Sequence, residues 1–219
     1  MKRSWKELLV RVVILLVGLT IAHLGVTLFL LANLGSDPFN VLVQGIFRTI
    51  SRLTGWSVLT HGYTHVAMCF LIIIVLLIVD KSYIKIGTLL CMVCGGPIID
   101  FFTGILSPLF TEDMYLGTKL LILCLGCAIL AFGMTIVIKS DAGTGPNDLV
   151  AVVISDKTGR KFSVVRIVVD VTFLVVGFVL GGAIGIGTII CAGFVGPVAG
   201  FFMPYSEKIV KLVLGLQKF

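Results

Sequence analysis

GTLLCMVCGGPIIDFF, Gly87 to Phe102, returns one hundred residues later as GTIICAGFVGPVAGFF, Gly187 to Phe202. Gly87, Thr88, Cys91, Gly96, Pro97, Phe101 and Phe102 recur as Gly187, Thr188, Cys191, Gly196, Pro197, Phe201 and Phe202. A second match, at a shift of 108, sets Gly18, Gly25, Thr27, Gly35 and Pro38 on Gly126, Gly133, Thr135, Gly143 and Pro146. Between them TGWSV (Thr54 to Val58) roughly answers TGRKFSV (Thr158 to Val164). Self-similarity at a fixed period marks a repeated structural unit. The chain therefore reads as one membrane domain, 1–219, made of two copies, the first about 8–110 and the second about 116–206.

The surroundings of those units follow from composition. Of 219 residues, 58% are apolar and only 13% charged, and the mean hydropathy is +1.16. A soluble domain is about a quarter charged and needs that polar fraction to cover its surface. A soluble enzyme, a nucleic-acid-binding module and a disordered chain are thereby excluded, despite a net charge of +6. In a bilayer the backbone must satisfy its own hydrogen bonds, in helices or a closed barrel. Runs such as 72–79 and 164–180 lack the alternation of barrel strands, so helices are expected. About twenty apolar residues cross the hydrocarbon. Six stretches qualify: 10–32, 57–79, 84–107, 117–138, 163–182 and 185–204. The stretches 38–53 and 146–157 are too short and too polar, and 206–219, with Lys208, Lys211 and Lys218 among apolar residues, reads as an interfacial helix.

Three spans per unit is an odd number, so the second copy must enter the membrane from the opposite side. The expected fold is an all-α polytopic membrane protein of six transmembrane helices in two inverted-topology three-helix repeats, each with a short re-entrant or interfacial helix after a GxxP turn. Lys and Arg collect in cytoplasmic loops. With both termini inside, fourteen of the seventeen basic residues fall on the cytoplasmic side, where anionic lipids would meet them.

Inverted repeats are the design of many secondary transporters, whose sites lie at interrupted helices. The interruptions here are GSDPFN (Gly35 to Asn40) and GTGPND (Gly143 to Asp148). Gly35 and Gly143 suit a helix end, and Pro38 and Pro146 the first turn of the next helix. Gly96-Pro97 and Gly196-Pro197 are further candidate helix breaks. Ser36, Asp37, Asn40, Thr144, Asn147 and Asp148 are the candidate lining of a solute path, because polar groups at membrane depth are expensive. The competing reading is a capped interfacial helix, with Asp37 as its own N-cap.

Asp100, His65, Asp170 and Arg166 are candidate charge or proton carriers inside spans, with Arg166 and Asp170 at the i,i+4 spacing of an ion pair. His23 reads as a helix-to-helix hydrogen bond. Cys91-x-x-Cys94 and Cys124-x-x-Cys127 imitate redox or metal pairs, but all six cysteines fall inside spans, where packing is the stronger reading. No metal site, cofactor, nucleic-acid partner or catalytic constellation is expected, and the chain reads as a non-enzyme.

GSDPFNVL (Gly35 to Leu42), GTGPNDLV (Gly143 to Val150) and the paired GTLLCMVCGGPIIDFF motif together resemble the bacterial YczE/YyaS/YitT-like integral membrane proteins, most closely the YczE-type branch. The resemblance covers nearly the whole chain, without a counterpart of the soluble C-terminal domain of YitT-type members. It implies a bacterial inner-membrane protein and supplies no catalytic residues. The expected function is a small secondary transporter or channel-like permease for a small polar or anionic solute, with or without proton coupling. The alternative is a non-transporting accessory or regulatory membrane protein that presents its basic face to a cytosolic partner.

Overall fold

The computed structural model describes residues 4–56, 59–111 and 113–215. Among them the only regular structure is helical. The elements are α1 (Trp5–Leu31), α2 (Pro38–Thr54), α3 (His61–Asp80), α4 (Ile86–Leu106), α5 (Leu116–Ser140), α6 (Pro146–Thr158), α7 (Phe162–Val179) and α8 (Ile186–Val213). All but α2 and α6 are long and apolar enough to cross a membrane, and they correspond to the six expected spans. Large side chains such as Ile78, Val93 and Val179 are fully exposed along them, as lipid-facing residues must be.

The core is the pair α1 and α5. A Cβ placed on Gly25 would stand 2.3 Å from the Leu130 amide nitrogen and 2.5 Å from the Gly126 carbonyl oxygen. One on Gly133 would stand 2.2 Å from the Ala22 nitrogen and 2.6 Å from the Gly18 oxygen. The two backbones touch, and only glycine permits it. Residue numbers rise along α1 as they fall along α5, so the helices are antiparallel. The touching residues are the glycines that a shift of 108 equates.

Both helices end alike. Asn33 and Asp141 adopt positive φ of 51° and 57°, and Gly35 and Gly143 follow at 143° and 139°. Proline then opens α2 at Pro38 and α6 at Pro146. The first amides of a helix lack intrahelical partners. Here the Gly87 N–H, at the start of α4, donates to the Ala142 carbonyl at 2.9 Å. The Gly187 N–H, at the start of α8, donates to the Leu34 carbonyl, also at 2.9 Å. α4 is thus fastened to the turn that precedes α6, and α8 to the turn that precedes α2.

Leu34 lies level with Leu123, because Gly187 meets both. At 1.5 Å per residue the two turns stand roughly 25 Å apart along α5. They sit near opposite ends of the bundle and do not face one another across its centre.

Two expectations change. The segment from Tyr205 is no separate interfacial helix, since α8 continues unbroken to Val213, with Pro197 and Pro204 inside it. Its Ser206 is buried with its hydroxyl 2.7 Å from Thr135, and Glu207 binds Lys139 at 2.7 Å, so α5 holds the extension. Residues 216–219 lie outside the described residues. Gly96-Pro97 and Gly196-Pro197 are likewise no breaks, because α4 and α8 run through them. Proline removes one donor, a loss that a packed membrane helix tolerates.

Gly133→Ala puts a methyl group into the Ala22 backbone and is expected to cost about 1–3 kcal/mol. Gly193→Ala, on the same kind of helix but with nothing within 4 Å, is expected to be neutral or to stabilise by about 1 kcal/mol. Thermal melts of the two variants in one detergent check the contrast; equal melting temperatures would refute the close α1–α5 contact.

Candidate functional site

α6 begins at Pro146, and its first turn carries Asp148. Beside it α7 presents Arg166 and Asp170 one turn apart. The Arg166 guanidinium donates from Nη1 to Asp148 Oδ1 at 2.6 Å and from Nε to Asp170 Oδ2 at 2.8 Å. Asn147 Nδ2 donates to the same Asp148 oxygen at 3.2 Å. The Asp170 side chain is 2% exposed and that of Arg166 10%. Two carboxylates therefore share one guanidinium inside a membrane-spanning bundle. Pairing offsets much of a desolvation cost that would reach several kcal/mol for each bare ion.

A second polar group surrounds the start of α2. Asp37 caps that helix, accepting the Asn40 N–H at 3.1 Å and also the Asn40 side-chain amide. Asn40 Oδ1 in turn lies 3.3 Å from His65 Nδ1 on α3. Phe39 joins the two groups: its ring meets His65 edge-on at 5.3 Å and Phe173, three residues beyond Asp170, at 5.5 Å.

Ser36 and Thr144 stand apart from both groups. The Ser36 N–H donates to Thr188 Oγ1 at 3.2 Å. Thr144 is buried on the wall of a cavity of about 600 Å³ at the Lys-rich end. Ser82, Lys85, Asp141, Val152 and Asp156 also line it. Around that end Lys85 pairs with Asp141, Lys157 meets Asp80 at 3.1 Å, and Arg11 donates to the Ser140 carbonyl at 2.9 Å.

The structure thus brings Asn147, Asp148, Arg166 and Asp170 together, and Asp37, Asn40 and His65 together. Asp100 joins neither: it lies exposed on α4. His23 bonds within its own helix, Nδ1 lying 2.8 Å from the Leu19 carbonyl, while Nε2 stands 2.8 Å from where a Gly95 Cβ would be. Cys69, Cys91, Cys127 and Cys191 are buried in apolar clusters, and all six thiols are free.

Sequence reasoning misses a latch at the end opposite the lysines. There Gln44 Oε1 accepts the Ala183 N–H at 2.6 Å, Arg48 donates to the Gly181 carbonyl at 2.7 Å, and Thr49 donates to the Leu180 carbonyl at 2.8 Å. Gly177 and Gly182 make that contact close, a Cβ on either standing within 2.5 Å of the α2 backbone at Leu42 and Val41.

Six spans, paired turns and buried charge define a polytopic helical membrane protein. The chain belongs to the family described as "Family of unknown function (DUF6198)", whose profile matches residues 9–204. It is 30% identical over 207 residues to the "Uncharacterized membrane protein YczE" of Bacillus subtilis (strain 168), covering 94% of this chain and 91% of that protein. An "Uncharacterized protein" of Haemophilus influenzae is 30% identical over 199 residues, 90% of this chain and 84% of its own length. "Uncharacterized protein YyaS" of Bacillus subtilis (strain 168) is 25% identical over 193 residues, covering 88% and 92%. No solved structure matches the chain.

Removing Arg166 alone leaves the buried Asp170 and the half-buried Asp148 without that cation. Arg166→Met is expected to destabilise the protein by about 3–5 kcal/mol. The double variant Arg166→Met/Asp170→Leu, which removes charges of both signs, is expected to recover part of that loss. A double-mutant cycle of melting temperatures checks it; strictly additive losses would mean that the pair is not coupled.

Proposed function

We propose that the chain is a small secondary transporter of the cytoplasmic membrane, moving a small polar solute with proton coupling by alternate exposure of two inverted halves. The observation that carries this reading is the buried cluster of Arg166, Asp148 and Asp170. Ionised throughout, it sums to one negative charge, so a single proton neutralises it. Shared carboxylate sites of this kind take up and release protons as a unit. An intramembrane ionisable group is costly enough that a role in an ion or substrate pathway is its default reading.

The electrostatics favour one of the two solute classes. Asp37, Asp148 and Asp170 set three carboxylates against one guanidinium, and the Asp37 side chain already occupies an N-terminal amide of α2. An anion would meet excess negative charge there. A neutral or cationic polar solute would not.

Support for the inverted repeat comes from the antiparallel packing of the equivalent helices α1 and α5, and from the reciprocal bonds between Gly87 and Ala142 and between Gly187 and Leu34. The basic-residue bias favours both termini in the cytoplasm, where the lysine-rich end would meet anionic lipid.

Two measurements test the proposal. In intact cells, cysteines at Gly117 and Ala183 are expected to react with a membrane-impermeant maleimide and a cysteine at Lys157 to be protected; protection of either of the first two would break the topology. In proteoliposomes carrying an imposed pH gradient, a panel of labelled amino acids, polyamines, sugars and carboxylates is offered. Accumulation of at least one non-acidic solute is expected, with Asp170→Asn losing the response to the gradient. A well-folded protein that moves none of the panel would shift the weight to the accessory role.

A further inference from the structure

The two copies are not packed alike. In the second, α7 lies against α8: a Cβ on Gly196 would stand 2.8 Å from the Ser163 carbonyl oxygen and 2.9 Å from Ile167, and one on Gly200 would stand 2.8 Å from the Ser163 side chain. The other side of α7 lies against α2, where a Cβ on Gly45 would come within 2.3 Å of the Gly177 carbonyl and one on Gly177 within 2.5 Å of the Leu42 nitrogen. The latch of Gln44, Arg48 and Thr49 closes that contact.

α3 holds the place of α7 in the first copy, yet among the described residues it barely meets α4. Gly96, the counterpart of Gly196, is exposed, and among the described residues nothing stands within 4 Å of where its Cβ would be. Asp100, the counterpart of Gly200, is exposed, and on α3 Gly62 and Val66 are exposed too. Against α6, α3 packs through its C-terminal half, where Ile72 and Leu76 join a cluster with Leu149 and Val153. The 600 Å³ cavity lies beside that contact, between the Ser82–Lys85 stretch and α6. The residues of α6 that correspond to Gln44, Arg48 and Thr49 are Val152, Asp156 and Lys157, and two of them line the cavity.

We propose that α3 and α7 are the same gate in its two positions: α3 docks onto α4 and α6 as α7 now docks onto α8 and α2, and the two dockings alternate. This rests on the inverted-repeat reading above. Docking of α3 covers the Gly96–Asp100 face and closes the cavity at the Lys-rich end. Release of α7 breaks the bonds of Gln44 to Ala183, Arg48 to Gly181 and Thr49 to Leu180, opening the opposite end. Asp100 then gains a neighbour, because the face it occupies would receive the first turns of α3, whose N-terminal end carries the positive pole of the helix. A symmetric bundle offers no such pair of states. One chain that holds both arrangements at once supplies a physical two-state element for each half.

The test uses the full chain in proteoliposomes, with Val66→Cys and Gly96→Cys as reporter pair; both sites are open enough to accept a cysteine. A short bis-maleimide is applied, and the linked peptide is quantified by mass spectrometry, which separates it from links through the native cysteines. The linked fraction is expected to be small with the latch intact and to rise roughly tenfold in Gln44→Leu/Thr49→Val, the factor that the loss of two hydrogen bonds gives. In parallel, Ser155→Cys in the cavity wall is expected to react more slowly with a polar maleimide once the latch is cut. A linked fraction that the latch variant leaves unchanged, or no link in either background while single cysteines are labelled, overturns the alternation. Should the double variant fail to fold, Arg48→Ala, at an exposed bond, replaces it with the same expectation in direction. Uptake without any change in cross-linking removes this inference alone; cross-linking that shifts as expected in a protein that moves no solute removes the transport reading alone.

Discussion

Everything in this fold hangs on the contact of α1 with α5 through Gly18, Gly25, Gly126 and Gly133. In lipid there is no hydrophobic gain from pressing two apolar helices together, because the tails are as apolar as leucine. What remains is close van der Waals contact and the hydrogen bonds that closeness permits. Four glycines supply the closeness, setting backbone on backbone, and so fix the angle and register of the pair. The two GxxP turns are continuations of those helices. Once the register is set, Leu34 and Ala142 fall where the first amides of α8 and α4 can reach them. α8 is therefore positioned by the end of α1, and α4 by the end of α5.

That dependence accounts for the placing of charge. The starts of α2 and α6 are aimed into the bundle from opposite ends, and each brings a carboxylate at a helix N-terminus, where a negative charge is favoured. At α2 the acid is absorbed locally by Asn40, through its backbone N–H and its side-chain amide. At α6 it is met by Arg166, which also holds Asp170. The two copies have thus diverged in chemistry on a common backbone: Asn40 and Asp148 occupy equivalent positions, one bonded to a histidine and the other to an arginine. Both acids reach Arg166 and together offset the cost of burying it.

Much of this is legible in the sequence, for physical reasons that differ by element. The spans are legible because a bilayer demands about twenty apolar residues, and the turns because glycine and proline have few alternatives at a positive φ and a helix start. The Arg166–Asp170 pair is legible because i,i+4 spacing is local. The third member, Asp148, is nominated by its motif, but its partner belongs to another helix and no spacing reveals it. α8 is misjudged because Pro204 and the lysines beyond it imitate an end, while the bonds that carry the helix onward, from Ser206 to Thr135 and from Glu207 to Lys139, cross to α5. Asp100 misleads for the opposite reason. An acid in an apolar run reads as buried, yet its helix face has no helix against it.

That bare face makes sense of an otherwise wasteful glycine. Glycine inside a helix costs about 1 kcal/mol relative to alanine, a cost normally offset by a contact that a methyl group would block. Gly196 has that contact, with Ser163 and Ile167. Among the described residues Gly96 has the cost and no contact, although it sits at the matching position in the same motif, beside a proline that weakens the helix further. Packing in the observed arrangement gives no reason for glycine there. A second arrangement, with α3 pressed onto α4, does: the glycine is then needed in one state and merely tolerated in the other. On this view the sequence repeat encodes two packings, and the three-dimensional asymmetry between the halves is how one chain displays both.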